Sequence, residues 1–127
     1  MRFLSIYKTV ERNAPPTAEE VEAMGKLIKE GMEAGWLVGT EGCLPTALGA
    51  RVRHDAGKIT VTDGPFSEAK EVVGGFAMLR ANSKEEAIEL TRRFLQVAGK
   101  FAAHGECELR QIYEAGECPG QKAAAAF

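Results

Sequence analysis

Apolar and polar positions alternate with two different periods along the chain, which predicts a domain that mixes strands and helices. Residues 2–8 carry apolar side chains on both faces of an extended segment, as is typical of a central strand. Over residues 18–34 apolar side chains recur every three or four positions, behind a capping box from Thr17 to Glu20 and ahead of Gly35. The chain is therefore predicted to begin with a strand and an amphipathic helix.

The rest of the chain repeats this order around a hairpin. A short strand is predicted at residues 36–38, followed by a loop that contains Gly39, Gly42 and Pro45. Alternating residues on either side of a turn then predict a hairpin with one solvated face. Another strand, a capped helix and a last strand complete the series. The hairpin strands lie near residues 48–53 and 59–62, the next strand at 72–81, the helix at 83–99 and the last strand at 106–113.

This order, β-α-β, an inserted hairpin and β-α-β, predicts an α+β fold of the ferredoxin-like, split βαβ type with both helices on one face of an antiparallel sheet. The other face would leave strand residues such as Leu4, Ile6 and Leu79, or their alternate neighbours, in water. Pairing with a second copy covers such a face symmetrically, so we expect a homodimer. The domain is predicted over residues 1–115, and residues 116–127 are expected to form a flexible tail.

Composition and charge narrow the classes of function. The 127 residues fit one domain, and a net charge of −2 without a basic block argues against direct nucleic-acid binding. No apolar run is long enough for a signal peptide or a membrane span, which predicts a cytoplasmic protein without a membrane partner. Three cysteines without a C-x-x-C pair, and only His54 and His104, predict reduced thiols and no metal site. Phosphate-loop patterns are absent, so no cofactor is expected.

Asp63 is the main candidate for acid–base chemistry. A carboxylate where a strand ends beside a cleft can act as a general base, whereas an Asx-turn ahead of Gly64 and Pro65 explains the same residue without chemistry. Lys70 and Glu71 could bring a cation and a second carboxylate to this position, or they could be solvated loop charges.

Two further features are candidates for ligand binding. The Gly74-Gly75 pair inside a strand indicates a close approach by a ligand, a neighbouring element or a second protomer, and a strand bulge explains it equally well. Glu41 also has two interpretations: it is either a binding residue or an exposed charge.

Residues 63–71, beginning Asp63-Gly64-Pro65-Phe66 and followed by Gly74-Gly75-Phe76, resemble the signature of the DGPF group of YCII-related proteins. Residues 41–45 are similar to the E-G-x-x-P segment of that group, and residues 105–110 are similar to its closing strand. The resemblance covers nearly all of residues 1–115. It implies a dimeric α/β barrel and an association with extracytoplasmic-function sigma factor systems in bacteria.

The branch of this family that resembles a His–Asp dyad enzyme has its histidine near the first strand, and this chain has no histidine before His54. Two functional hypotheses follow. The favoured one is a non-catalytic module for sensing a small molecule or for interaction, because the histidine of the dyad is missing. The alternative is a small cofactor-independent lyase or isomerase that acts on a small, hydroxylated aromatic substrate with Asp63 as general acid or base.

Overall fold

The computed structural model describes residues 1–117, so that Cys118 and most of the predicted tail lie outside the described residues. Six strands, two helices and a short 3-10 turn follow one another. They are β1 (Arg2–Thr9), α1 (Ala18–Ala34), β2 (Leu37–Gly42), the 3-10 turn (Thr46–Leu48), β3 (Ala50–Asp55), β4 (Lys58–Asp63), β5 (Val72–Arg80), α2 (Lys84–Ala98) and β6 (Gly105–Gln111).

Four strands form one antiparallel sheet in the order β2-β5-β1-β6, and β3 and β4 form a separate two-stranded sheet. Strand β1 is central because β5 and β6 pair with its two edges. This arrangement confirms the ferredoxin-like split βαβ plan and the inserted hairpin. Within residues 1–117, neither helix has the length and apolar character that crossing a membrane requires.

The two faces of the sheet differ because side chains alternate along each strand. Phe3 pairs with Leu79, and both belong to the buried core together with Ala87 of α2. Leu4 and Ile6 therefore lie on the opposite, open face, where β5 presents Met78 and Phe76 beside them. The sequence named Leu4, Ile6 and Leu79, or their alternate neighbours, for the open face. Leu4 and Ile6 lie there, whereas in β5 the neighbour Met78 does, because the register with Phe3 directs Leu79 into the core.

Both helices begin at the predicted caps. The Thr17 hydroxyl accepts a hydrogen bond from the Glu20 amide, and the Glu20 carboxylate accepts one from the Thr17 amide, which completes the capping box of α1. Gly35 ends α1 with a φ of 84°, in the left-handed region. In α2 the Ser83 hydroxyl accepts from the Glu86 amide. Side-chain caps at both N-termini thus fix where the helices start.

Strand β2 is longer than the sequence predicts. Gly39 and Gly42 indicated a loop, yet they pair with Met78 and Gly75 of β5. A Cβ atom on Gly75 would lie 2.7 Å from the Glu41 carbonyl oxygen, so the absence of a side chain lets the two backbones approach. Backbone pairing with β5 therefore extends β2 through residues that favour turns.

A cavity between the sheet and the helices as candidate binding site

A cavity of about 360 Å³ lies between the helix-facing surface of the sheet and the two helices. This volume is in the range of small-molecule binding sites, about 300–1,000 Å³. Within residues 1–117, Glu41 is the one residue of the types Asp, Glu, Lys, Arg and His that borders it. Its apolar lining includes Tyr7, Met24, Leu27, Ile28, Trp36, Leu37, Ala77, Leu79, Leu90 and Phe94.

Besides Glu41, residues with hydroxyl and thiol groups supply the polar part of the lining. Two of the hydroxyls are engaged with the backbone, because Thr91 donates to the Ala87 carbonyl oxygen at 2.9 Å and Thr40 donates to that of Phe76 at 2.8 Å. Ser5 of β1 and Cys107 of β6 lie on the floor of the cavity, on neighbouring strands. Burial raises the pKa of the Cys107 thiol, so this group is uncharged at neutral pH.

Aromatic side chains form two parts of the cavity wall. The guanidinium carbon of Arg93 lies 5.7 Å from the ring centroid of Trp36, and Arg93 also forms an ion pair with Glu30, which links α2 to α1. On the other side the rings of Tyr7 and Phe94 pack edge to face, with centroids 5.1 Å apart. These contacts hold the two helices against the sheet around the cavity.

A second cavity of about 470 Å³ adjoins the first. Five residues border both cavities, and the Tyr7–Phe94 pair is among them. The second cavity extends towards Arg12 and Glu20, whose charged groups form a bidentate ion pair with distances of 2.9 and 2.8 Å. The residues common to both are Tyr7, Met24, Ile28, Gly74 and Phe94.

The structure brings three of the six sequence-predicted site residues to the first cavity. Glu41, Gly74 and Gly75 all border it. The register of β1 and β5 shifts where Tyr7 pairs with Gly75 and Lys8 pairs with Val73, so Gly74 is the extra residue of a bulge. The glycine pair therefore bends the strand and forms part of the cavity wall at the same time.

Asp63, Lys70 and Glu71 are exposed and do not border either cavity. Asp63 is the last residue of β4 and pairs with Ala50 of β3. Lys70 and Glu71 lie in the segment between β4 and β5. These three residues therefore do not share the cavity border with Glu41, Gly74 and Gly75.

The turn that follows Asp63 is held by a hydrogen-bonded cluster around Thr46. The Thr46 amide and hydroxyl both donate to the Glu11 carboxylate, at 2.7 and 2.8 Å, and the Thr46 hydroxyl accepts from the Phe66 amide at 3.1 Å. The Gly64 amide donates to the Gly49 carbonyl oxygen, and a Cβ atom on Gly64 would collide with the Thr46 carbonyl oxygen. The glycine of the Asp-Gly-Pro-Phe sequence therefore allows a close backbone contact between two loops.

Phe66 itself lies outside the buried core. Its ring packs under Arg51, whose guanidinium carbon is 3.9 Å from the ring centroid, and Arg51 also pairs with Glu68. Phe66 is half-buried, so the turn is anchored by backbone contacts and this cation–π contact instead of by core packing.

Sequence reasoning missed Ser5, Trp36 and Cys107 as cavity residues. A serine in a strand with Phe3 on the same face was the available signal, because a polar residue at a helix-facing position needs a partner. Over the part of the chain that the structure describes, no group of three or more His, Cys, Asp or Glu residues is arranged to hold a metal ion.

Comparison with known proteins supports the resemblance noted in the sequence. The family model of the YCII-related domain matches residues 1–115. Over 90 residues the chain is also 36% identical to an uncharacterized protein of Rhizobium meliloti (strain 1021), and the aligned part covers 69% of this chain and 70% of that protein. The chain therefore belongs to the YCII-related domain family.

Proposed function

We propose that this protein binds a small, uncharged and mostly apolar molecule in the cavity between sheet and helices, and that it works as a ligand-sensing module. The observation that carries the proposal is the composition of the cavity wall. Aliphatic and aromatic side chains dominate it, and Glu41 together with hydroxyl and thiol residues provides a few polar groups. Such a surface favours apolar burial, and desolvation of an anionic ligand there would cost free energy without compensation, because the one acidic or basic residue at its border, Glu41, is acidic.

The positions of the candidate catalytic residues favour binding over catalysis at this cavity. A general base must come within hydrogen-bonding reach of its substrate, and Asp63 is exposed at the end of β4, outside the cavity lining. Binding in the cavity should therefore be insensitive to Asp63→Asn. A loss of binding in that variant would support the alternative, in which Asp63 acts on the bound molecule.

Homodimerisation through the open face of the sheet is part of this proposal. Leu4, Ile6, Phe76 and Met78 form an apolar stripe there, and Lys8 and Glu108 pair at 3.0 Å beside it. A second copy presents the same apolar stripe and the same mixture of charges, as a twofold interface requires. The association with extracytoplasmic-function sigma factor systems rests on the family resemblance, and it would give a dimeric sensor a partner to regulate.

Trp36 provides the test, because it is the only tryptophan of the chain and it borders the cavity. We expect small uncharged cyclic molecules to change its fluorescence in a saturable way and to raise the melting temperature, since a ligand that binds the native state stabilises it. Carboxylates of matched size should do neither. Equal responses to both classes, or none to either, would contradict the proposal.

A cavity-filling substitution provides the control. Ala77 borders the cavity, so Ala77→Phe should abolish the fluorescence response by occupying the volume that the ligand needs. Ala47 is exposed in the 3-10 turn and outside the lining, so Ala47→Phe adds the same ring without filling the cavity. Binding that survives in Ala77→Phe would place the ligand elsewhere.

A further inference from the structure

Ser5 is an unusual residue for its place in the sheet. It lies in the middle of the central strand β1, on the helix-facing surface, with Ala77 and Leu109 opposite it on the two neighbouring strands. Its residue surface is only 6% exposed. A buried hydroxyl at such a position requires hydrogen-bonding partners, because desolvation of an unpaired polar group costs about 1–3 kcal/mol.

The surroundings of Ser5 leave part of its hydrogen-bonding capacity unused. A hydroxyl offers one donor and two acceptor positions, and the neighbouring Cys107 thiol is a weak partner for either. Strand β1 is paired on both edges, so its backbone groups are engaged with β5 and β6. The hydroxyl borders the cavity and can satisfy its remaining capacity there.

Cys107 lies beside Ser5 because it pairs with Tyr7, two residues along β1 from Ser5 on the same face. Its thiol is uncharged, so it can act as a weak donor or a weak acceptor. Thr40 and Thr91 also border the cavity, but their hydroxyls donate to backbone carbonyl oxygens. Ser5 and Cys107 are thus a polar pair on an otherwise apolar floor.

We propose that Ser5 and Cys107 form a binding subsite for one uncharged oxygen, a hydroxyl or a carbonyl, of a ligand whose remaining surface is apolar. This inference rests on the proposed function of the cavity and specifies the class of ligand. The hydroxyl of Ser5 can donate to a carbonyl or accept from an alcohol, so both oxygen types fit. An anionic oxygen does not fit, because two neutral groups cannot replace its hydration.

The experiment compares two probes that differ by one group. Cyclohexylmethanol and ethylcyclohexane have the same shape, and the first carries a hydroxyl where the second carries a methyl group. Trp36 fluorescence titrations give a Kd for each probe with the wild type, Ser5→Ala and Cys107→Ala. We expect Ser5→Ala to weaken cyclohexylmethanol binding about fivefold, the effect of one ordinary hydrogen bond, and to change ethylcyclohexane binding less than twofold.

Thr40→Val is the matched control, since it removes a cavity hydroxyl that is already engaged with the Phe76 carbonyl oxygen. It should change the Kd of both probes by the same factor. Equal weakening of both probes in Ser5→Ala, or no weakening of either, would overturn the subsite while the cavity proposal stands. Failure of both probes to bind the wild type would overturn the cavity proposal and the subsite together. Retained ethylcyclohexane binding also confirms that each variant is folded.

Discussion

At the scale of single residues, the environment of Cys107 links the cavity to pH. Burial is the main cause that raises the pKa of its thiol, and the nearby Glu106 carboxylate adds to the effect, while the neighbouring Ser5 hydroxyl opposes both. The folded state therefore holds the thiol proton more tightly than the unfolded chain does. The resulting contribution to the free energy of unfolding is complete only at pH values where the thiol of the unfolded chain is protonated as well.

We expect a loss of stability on the alkaline side. The contribution of Cys107 is fully present below the unfolded-state pKa of about 8.5 and is lost as the pH rises from there through the higher folded-state value. Melting temperatures between neutral and alkaline pH should therefore fall more steeply for the wild type than for Cys107→Ala. Parallel curves would show that Cys107 does not carry this dependence, and Cys43→Ala, at an exposed position, serves as the comparison.

Thr46 is the residue on which the turn after Asp63 depends. Thr46→Val keeps the shape of the side chain and removes the hydroxyl that donates to Glu11 and accepts from the Phe66 amide. We expect the free energy of unfolding to fall by about 1–2 kcal/mol, because two hydrogen bonds are lost in a half-buried position. Urea denaturation measures this loss. Thr46→Ser keeps the hydroxyl and should lose less, so an equal loss in both variants would assign the effect to packing.

At the scale of elements, the sequence predicted the helices and the sheet plan well because local chemistry determines them. The capping box at Thr17 and the Ser83 hydroxyl cap set where each helix starts, and the apolar stripe that follows each cap sets the face that packs on the sheet. The length of β2 could not be predicted, because pairing with β5 overrides the turn preference of Gly39 and Gly42. Local propensity is a weak guide where a distant strand supplies the partner.

The cavity could not be predicted from the sequence for a related reason. Met24, Leu27 and Ile28 have the spacing of a helix that packs on a core, and the same spacing occurs whether the space beneath is filled or empty. The volume depends on how far α1 and α2 lie from the sheet, which is a property of the packed elements. Gly74 and Gly75 were named as candidates because a glycine pair within a strand is a visible irregularity.

The hairpin of β3 and β4 is expected to be the least protected part of the strand structure. A two-stranded sheet is marginally stable by itself, and its apolar face is uncovered, with Val52, Ile59 and Val61 exposed at 69%, 68% and 65%. Hydrogen exchange should therefore be faster at its amides than in β1 and β5. Exchange as slow as in the central strands at low protein concentration would contradict this expectation.

At the scale of the whole molecule, the open face of the sheet should determine the oligomeric state. Phe76 is 41% exposed on that face, so Phe76→Lys should shift the mass measured by light scattering from dimer to monomer. Ile88 of α2 is exposed to a similar degree, 38%, and belongs to the helix layer. Ile88→Lys should leave the dimer intact. A wild-type monomer at micromolar concentration would contradict dimerisation through this face.

The central position of β1 has a consequence for the order in which the chain can fold during synthesis. Strand β1 leaves the ribosome before the other strands of its sheet, yet both of its neighbours follow much later along the chain, with β5 beginning at Val72 and β6 at Gly105. Strand β1 therefore stays unpaired until nearly the whole domain has emerged from the ribosome. Such long-range pairing slows folding and exposes an apolar strand to other nascent chains in the meantime.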